Sequence, residues 1–199
     1  MGEIGAIILA AGRASRFGAG ADDSKVLARL DGKPLVRHVA EAALASRARP
    51  VVVVIGHAGA GVRAALDGLD ATIVDNPHAA SGMAGSLKAG VAALPADCAG
   101  ALILLADMPR VRARTLDALI AAYAAGDRRP DAVAPVFAGR RGNPVLLGRA
   151  LFGAVAGLEG DVGARALLAE ADVREIEVDD PGVSIDIDTR AALRAAGSI

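Results

Sequence analysis

Short runs that are apolar at nearly every position alternate along this chain with stretches whose apolar residues return every three or four positions. The runs 4–9, 51–55, 72–74, 102–105, 133–137, 145–147 and 173–178 read as strands. Several lack the in-out alternation of a half-exposed strand and match strands covered on both faces. The segment 34–44 predicts a helix that opens with Pro34 at its first position and carries Leu35 and Val39 on one face. Leu116, Leu119, Ile120 and Tyr123 follow Thr115 at i, i+3, i+4, i+7 spacing and predict another. Further helices are expected over 85–94 and from Thr189 onward, with alanine as the common filler. This alternation predicts an α/β fold, a three-layer sandwich around a mainly parallel (mixed) central sheet. No linker, low-complexity tract or internal repeat is visible, so 1–199 is expected to form a single domain.

Composition narrows the function. The 199 residues are 53% hydrophobic and 23% charged, which suits a full core and not a disordered chain. Lys and Arg number 22 against 23 Asp and Glu, giving a net charge of -1. That balance lacks the basic excess of a nucleic-acid binder, and 2% aromatics with no Trp leave few stacking platforms. A single cysteine, Cys98, allows no intramolecular disulfide and no Cys-based zinc cluster. The apolar run 4–11 falls short of the ~20 residues of a membrane span. Glu3 stands where a signal peptide would carry a basic residue, and Ala6 where a myristoylation site needs Ser or Thr. A soluble, cytoplasmic protein with no membrane or nucleic-acid partner is the expectation.

Ligands of an open α/β sheet lie beyond the carboxyl ends of its strands. Four such places are unusual here: 10–25, 77–86, 107–109 and 186–188. The first runs from Leu9 through Ala10, Ala11 and Gly12 to Arg13, Arg16 and Lys25. Small residues let backbone N–H groups approach an anion, and the three cations add charge for a polyphosphate and its leaving group. A flexible surface loop with solvated cations would have the same composition. It is not a Walker loop, because Lys25 is preceded by Ser24 and Lys33 is followed by Pro34.

These residues carry a resemblance. Leu9-Ala10-Ala11-Gly12, Arg16-Phe17-Gly18, Lys25 and Gly32-Lys33-Pro34-Leu35 resemble the signature of the MobA-like nucleotidyltransferases. Asn76-Pro77, Gly82-Met83 with Ser86-Leu87, Asp107-Met108-Pro109, Gly160-Asp161 with Gly163-Ala164-Arg165, and Asp186-Ile187-Asp188-Thr189 resemble its molybdenum cofactor cytidylyltransferase branch, the MocA type. The resemblance implies a Rossmann-like fold, CTP as substrate, Mg²⁺, and transfer of CMP onto the terminal phosphate of (Mo-)molybdopterin with release of pyrophosphate. It ties Ala11 to cytidine, since Leu-Ala-Gly-Gly goes with GTP. It implies a molybdoenzyme or its maturation chaperone as partner, and it places Asn143, Asp161 and Arg165 on the acceptor side. Asn143 and Val162 depart from the pattern, which often has His and a basic residue there.

The residues themselves support a metal-assisted transfer. Asp107 follows the apolar run 101–106, and Asp186 and Asp188 would share one side of an extended segment with Ile187 opposite. Asp107 with Asp188 or Asp186 meets the need of Mg²⁺ for one or two carboxylates beside phosphates and water. Asp107 could equally cap a turn, and Asp188 a helix. Arg13, Arg16 and Lys25 would hold the triphosphate, with Arg16, Lys25 and Asp107 as the catalytic set. Ser81, Gly82 and Ser86 offer hydroxyl and N–H groups at a helix start for the nucleotide, or an ordinary N-cap. Three other readings remain at this stage, one of them a non-enzymatic cofactor carrier or insertion chaperone for a molybdoenzyme, a role that would add to transfer more than oppose it. Another is transfer to a different phosphorylated acceptor. The third is a dinucleotide-binding oxidoreductase, from Gly59-Ala60-Gly61-Val62-Arg63-Ala64 with Asp75 beyond it.

Overall fold

The computed structural model describes residues 2–12 and 24–197, with the side chain of Ser81 outside the description. In chain order its elements are β1 (Ile4–Ala10), β2 (Arg29–Leu30), β3 (Lys33–Pro34), α1 (Leu35–Ala45), β4 (Val51–Ile55), α2 (Gly59–Ala65), β5 (Thr72–Asp75), α3 (Met83–Ala92), β6 (Gly100–Leu105), α4 (Ala113–Ala124), β7 (Ala132–Phe137), β8 (Arg140–Arg141), β9 (Val145–Gly148), α5 (Phe152–Val155), β10 (Val173–Glu177) and α6 (Arg190–Ala196).

Among the described residues one sheet runs β10-β7-β9-β6-β1-β4-β5, with β8 paired to β7. The pairs β6–β1, β1–β4, β4–β5 and β10–β7 are parallel. β9 is inserted antiparallel between β6 and β7, so the sheet is mixed. The continuous apolar runs are explained by burial on both faces. In β4, Val51, Val53 and Ile55 join the core beneath α1, α2 and α4 with Val36, Val62 and Leu116. Val52 and Val54 point to the opposite layer, against Leu87 of α3 and Val155 of α5. Each such fully buried side chain contributes about 1.5–3 kcal/mol relative to exposure.

The expected elements recur, with end shifts that have local causes. Pro34 is not the first residue of α1. It pairs with Arg29 in the β2–β3 hairpin, whose turn uses positive φ at Asp31 (52°) and Gly32 (77°). Pro34 is itself extended (φ −57°, ψ 143°), and the helix begins at Leu35. α3 begins at Met83, two residues earlier than the expected 85.

The start of α1 is braced by Glu41, which accepts hydrogen bonds from Lys33 and, at 3.0 Å, from Arg37 Nε. The Lys33 bond, with a smaller contribution from Arg37, holds the Glu41 carboxyl below its ordinary value of 4.5 despite some opposition from burial. A depressed carboxylate contributes stability above its unfolded pKa and loses it as pH falls through the folded one. Glu41→Gln is therefore expected to melt slightly lower than the parent at neutral pH, by the small margin of a surface pair. Melting curves should converge as pH falls below the ordinary glutamate range.

Candidate active site

β1 and β6 lie side by side in parallel, with Leu9 opposite Leu105, so their carboxyl ends open together. β1 leads into Ala11 and Gly12. β6 leads into a turn in which Met108 N–H bonds the Leu105 carbonyl at 3.1 Å. Ala106 and Met108 are buried on either side of Asp107, which leaves its carboxylate at the sheet edge.

Two separate segments are brought to that carboxylate. Lys25 opens a short 3-10 turn, Lys25–Leu27, whose Val26 is buried. Asp188 follows Ile187, which is fully buried with Leu30, Leu35 and Ala196 and gives its N–H to the Asp107 carbonyl at 2.9 Å. The Lys25 ammonium then lies 2.5 Å from Asp107 Oδ2 and 2.7 Å from Asp188 Oδ1. Burial alone would lower the Lys25 pKa, but hydrogen bonds and attraction from Asp107 and Asp188 outweigh it and raise it above 10.5. The group is an ammonium at neutral pH. The helix cap of α6 is Thr189, whose hydroxyl accepts Ala192 N–H at 3.0 Å, so Asp188 does not serve as that cap.

The cluster opens into a cleft of about 510 Å³ whose walls include Leu9, Ala11, Gly12, Gly82, Met83, Ser86 and Asp161. Gly82 is the N-cap of α3, a position that neither Ser81 nor Ser86 takes. It has φ +111°, and a Cβ there would come within 2.2 Å of the Gly160 carbonyl. The loop at Gly160 thus closes onto the helix start. Ala84 N–H bonds the Gly160 carbonyl at 3.1 Å and Met83 N–H bonds Asp161 Oδ1 at 3.3 Å, so these two N–H groups of the first turn have partners within the chain. Ser86 lies inside α3, buried, and its hydroxyl accepts from Asn76 Nδ2 at 3.1 Å. Gly82→Ala is expected to cost about 1–3 kcal/mol from backbone strain alone. The clash adds to that, and a denaturant titration measures the sum.

The other expected site residues are dispersed. Arg13 and Arg16 lie outside the described residues. Ala10 is buried in the core layer and does not line the cleft. Asp186 is exposed, and the lysine reaches Asp188 instead. Of the acceptor set, Asp161 lines the cleft. Asn143 gives its backbone N–H to Val183 at 2.9 Å, Arg165 is exposed, and neither is on the cleft wall. Met83 was not anticipated. It stands 37% exposed on the wall, whereas a methionine at helical spacing reads as core.

The glycines of the dinucleotide-like string have another use. A Cβ on Gly61 would meet Leu27 Cδ1 at 2.6 Å, and Asp75 is held by Arg63 at 2.5 Å. Close helix packing explains the pattern without a cofactor.

Residues 6–176 match the family model of the MobA-like NTP transferase domain. The chain belongs to the MobA-like NTP transferase family. It is similar to the bifunctional protein GlmU of Paracidovorax citrulli, 40% identical over 132 residues, covering 63% of this chain and 27% of that one. The GlmU of Kineococcus radiotolerans is 36% identical over 122 residues, covering 60% and 24%. The chain thus spans about a quarter of the length of these curated relatives. Among solved structures, Rv0371c of Mycobacterium tuberculosis superposes with a TM-score of 0.83 at 28% identity, covering 99% of both chains. Its complex with manganese gives 0.79 at 26%, covering 100% of this chain and 99% of that one. The chain has the Rossmann-like fold of that family, with Lys25, Asp107 and Asp188 gathered beyond the carboxyl ends of β1 and β6. No helix among the described residues is long and apolar enough to cross a membrane.

Proposed function

We propose that this MobA-like transferase moves CMP from CTP onto the terminal phosphate of a molybdopterin-type acceptor and releases pyrophosphate. The observation that carries the transferase reading is the contact of Lys25 with Asp107 and Asp188 at the mouth of the cleft. The choice of CTP rests on Ala11 in Leu9-Ala10-Ala11-Gly12, at the cleft wall, and on the resemblance that ties it to cytidine.

The donor set fits a divalent metal. Among the described residues the buried Asp107 Oδ1 has no hydrogen-bond partner, and Asp188 adds a second hard oxygen donor. Among the described residues no three His, Cys, Asp or Glu side chains gather into a cage. A pair of carboxylates suits Mg²⁺, which keeps water and substrate phosphates as its other ligands. The manganese held by the Rv0371c complex supports the same assignment. When bound, such an ion supplies positive charge to the reacting phosphates.

The acceptor phosphate is already anionic, so no general base is required and the chain's task is placement and charge stabilisation. An ammonium has three N–H donors, and Lys25 spends two on carboxylates. The third can bond a phosphate oxygen with both ion pairs intact. Backbone at Ala11 and Gly12 admits the nucleotide closely. Arg13 and Arg16 are assigned to the triphosphate by their place in the motif. A molybdoenzyme or its maturation chaperone is the proposed recipient of the product, and the cytoplasm the proposed compartment.

A second reading, transfer to another phosphorylated acceptor, draws support from Asn143 and Arg165 lying away from this cleft wall. Pyrophosphate release with each of the four ribonucleoside triphosphates, with and without molybdopterin, decides between them. Release is expected from CTP with Mg²⁺ and molybdopterin together. Equal release from all four nucleotides, or none with this acceptor, overturns the cytidylyl-to-molybdopterin assignment.

A further inference from the structure

Beyond residue 176, where the family match ends, lies a buried carboxylate that the proposed reaction does not use. Asp180 is 1% exposed. Its Oδ2 accepts the Arg112 N–H at 3.0 Å and the Thr115 hydroxyl at 2.6 Å. Its Oδ1 accepts the Gly182 N–H at 3.0 Å, with Arg112 Nε 3.9 Å away. Arg112 is the N-cap of α4 and makes no side-chain cap of its own. Asp180 therefore places a negative charge at the start of α4 from a distant part of the chain, where it is favoured by the helix dipole.

The same carboxylate begins a strap that runs back along the loop carrying Asp107. Gly182 packs so tightly on that loop that a Cβ would lie 2.3 Å from the Arg110 carbonyl. Val183 is buried and receives the Asn143 N–H at 2.9 Å. Ile187 N–H reaches the carbonyl of Asp107 itself at 2.9 Å. The next residue is Asp188, on Lys25. The strap is thus fixed at one end to Arg112 and Thr115 and at the other to Asp107.

We infer that Asp180 is a positioning residue: its carboxylate sets the strap on the 107–112 loop and so holds Asp188 against Lys25 and Asp107. The inference rests on the proposed role of Asp188. If Asp180 served only to cap α4, its loss would lower stability and leave turnover intact well below the melting point.

The test uses the full chain as Asp180→Asn, Thr115→Val, Thr115→Ser and Asp188→Asn. Turnover, Mn²⁺ affinity by electron paramagnetic resonance, and melting temperature are read for each. Asp180→Asn, assayed far below its melting temperature, is expected to lose about tenfold or more in turnover and a similar factor in Mn²⁺ affinity. Thr115→Val, which removes one neutral donor to the same oxygen, is expected to move both in the same direction by about threefold, and it answers the question if Asp180→Asn does not fold. Thr115→Ser keeps the hydroxyl and should match the parent. Turnover and Mn²⁺ affinity within twofold of the parent in a folded, destabilised Asp180→Asn or Thr115→Val overturn the inference. Parental behaviour of Asp188→Asn in both readouts instead removes the role of Asp188, and the inference with it.

Discussion

Asp107→Ala is expected to abolish pyrophosphate release and leave the fold standing. The carboxylate is the meeting point of the site. It lies at the open end of β6, it takes the Lys25 ammonium at 2.5 Å, and its second oxygen is buried with no hydrogen-bond partner among the described residues. Losing it removes the better-buried of the two acidic donors, 18% exposed against 45% for Asp188. It also leaves the Lys25 charge bound to one carboxylate in place of two. Loss of an electrostatic group that acts on charge developing in the transition state costs about 3 kcal/mol or more, and loss of the divalent site adds to that. The structural cost is smaller. A hydrogen bond to a charged group is worth about 1.5–3 kcal/mol, and removing Asp107 also removes the cost of its orphaned oxygen. A domain with a total stability of about 5–15 kcal/mol survives such a loss. Circular dichroism melts and a pyrophosphate assay run on the same preparation separate the two effects. Turnover within threefold of the parent would remove Asp107 from the metal assignment.

The fold was legible because its strands are buried on both faces. Val51 to Ile55 has no polar position to mislead, and its two sets of side chains feed two different core layers. The insertion of β9 was less legible. Its four residues are as apolar as those of a parallel strand, and direction leaves no mark on such a short run. The candidate site was legible as residue types beyond the strand ends. Lys25, Asp107 and Asp188 each stood out where a ligand would lie. What the sequence did not show was that they touch. The contact spans 163 positions and depends on Ile187 being drawn into a small core with Leu30 and Leu35, an interaction with no local signature. Asp180 was missed for the same reason. Beside Pro181 and Gly182 it reads as an ordinary turn, and the donors that make it a buried anchor lie 65 and 68 positions earlier. The helix start at Met83 misled in the other direction. Ser81, Gly82 and Ser86 read as donors for a nucleotide or as an ordinary serine N-cap, but Gly82 takes the cap, Ser86 pairs with Asn76, and a loop some 78 positions later holds the Met83 N–H.

Lys25→Met is expected to lower turnover by about two orders of magnitude, since one lost contact to developing charge is worth about 3 kcal/mol. Its effect on stability tests the same geometry independently. In the parent the ammonium offsets one of the two carboxylate charges of Asp107 and Asp188, and burial, which would lower its pKa, is outweighed by their hydrogen bonds and attraction, which raise it above 10.5. A cation stabilised by folding contributes fully below its unfolded pKa, and the contribution disappears as pH rises through the folded value. The parent should therefore show an alkaline loss of stability beginning near the ordinary lysine range. Lys25→Met should lack that step and be less stable at neutral pH, because the two carboxylates then lose the cation they share. Lys25→Arg discriminates further. It restores the charge, and most of the stability at neutral pH should return. The planar fork of a guanidinium cannot reproduce three donors radiating from a single nitrogen toward two carboxylates and a phosphate oxygen, so turnover should recover only in part. Full recovery of turnover in Lys25→Arg would mean that charge alone suffices and that the third N–H of the ammonium has no directed partner. A Lys25→Met variant with parental turnover would reduce the ion-pair cluster to a structural clamp between the 3-10 turn, the β6 loop and the strap.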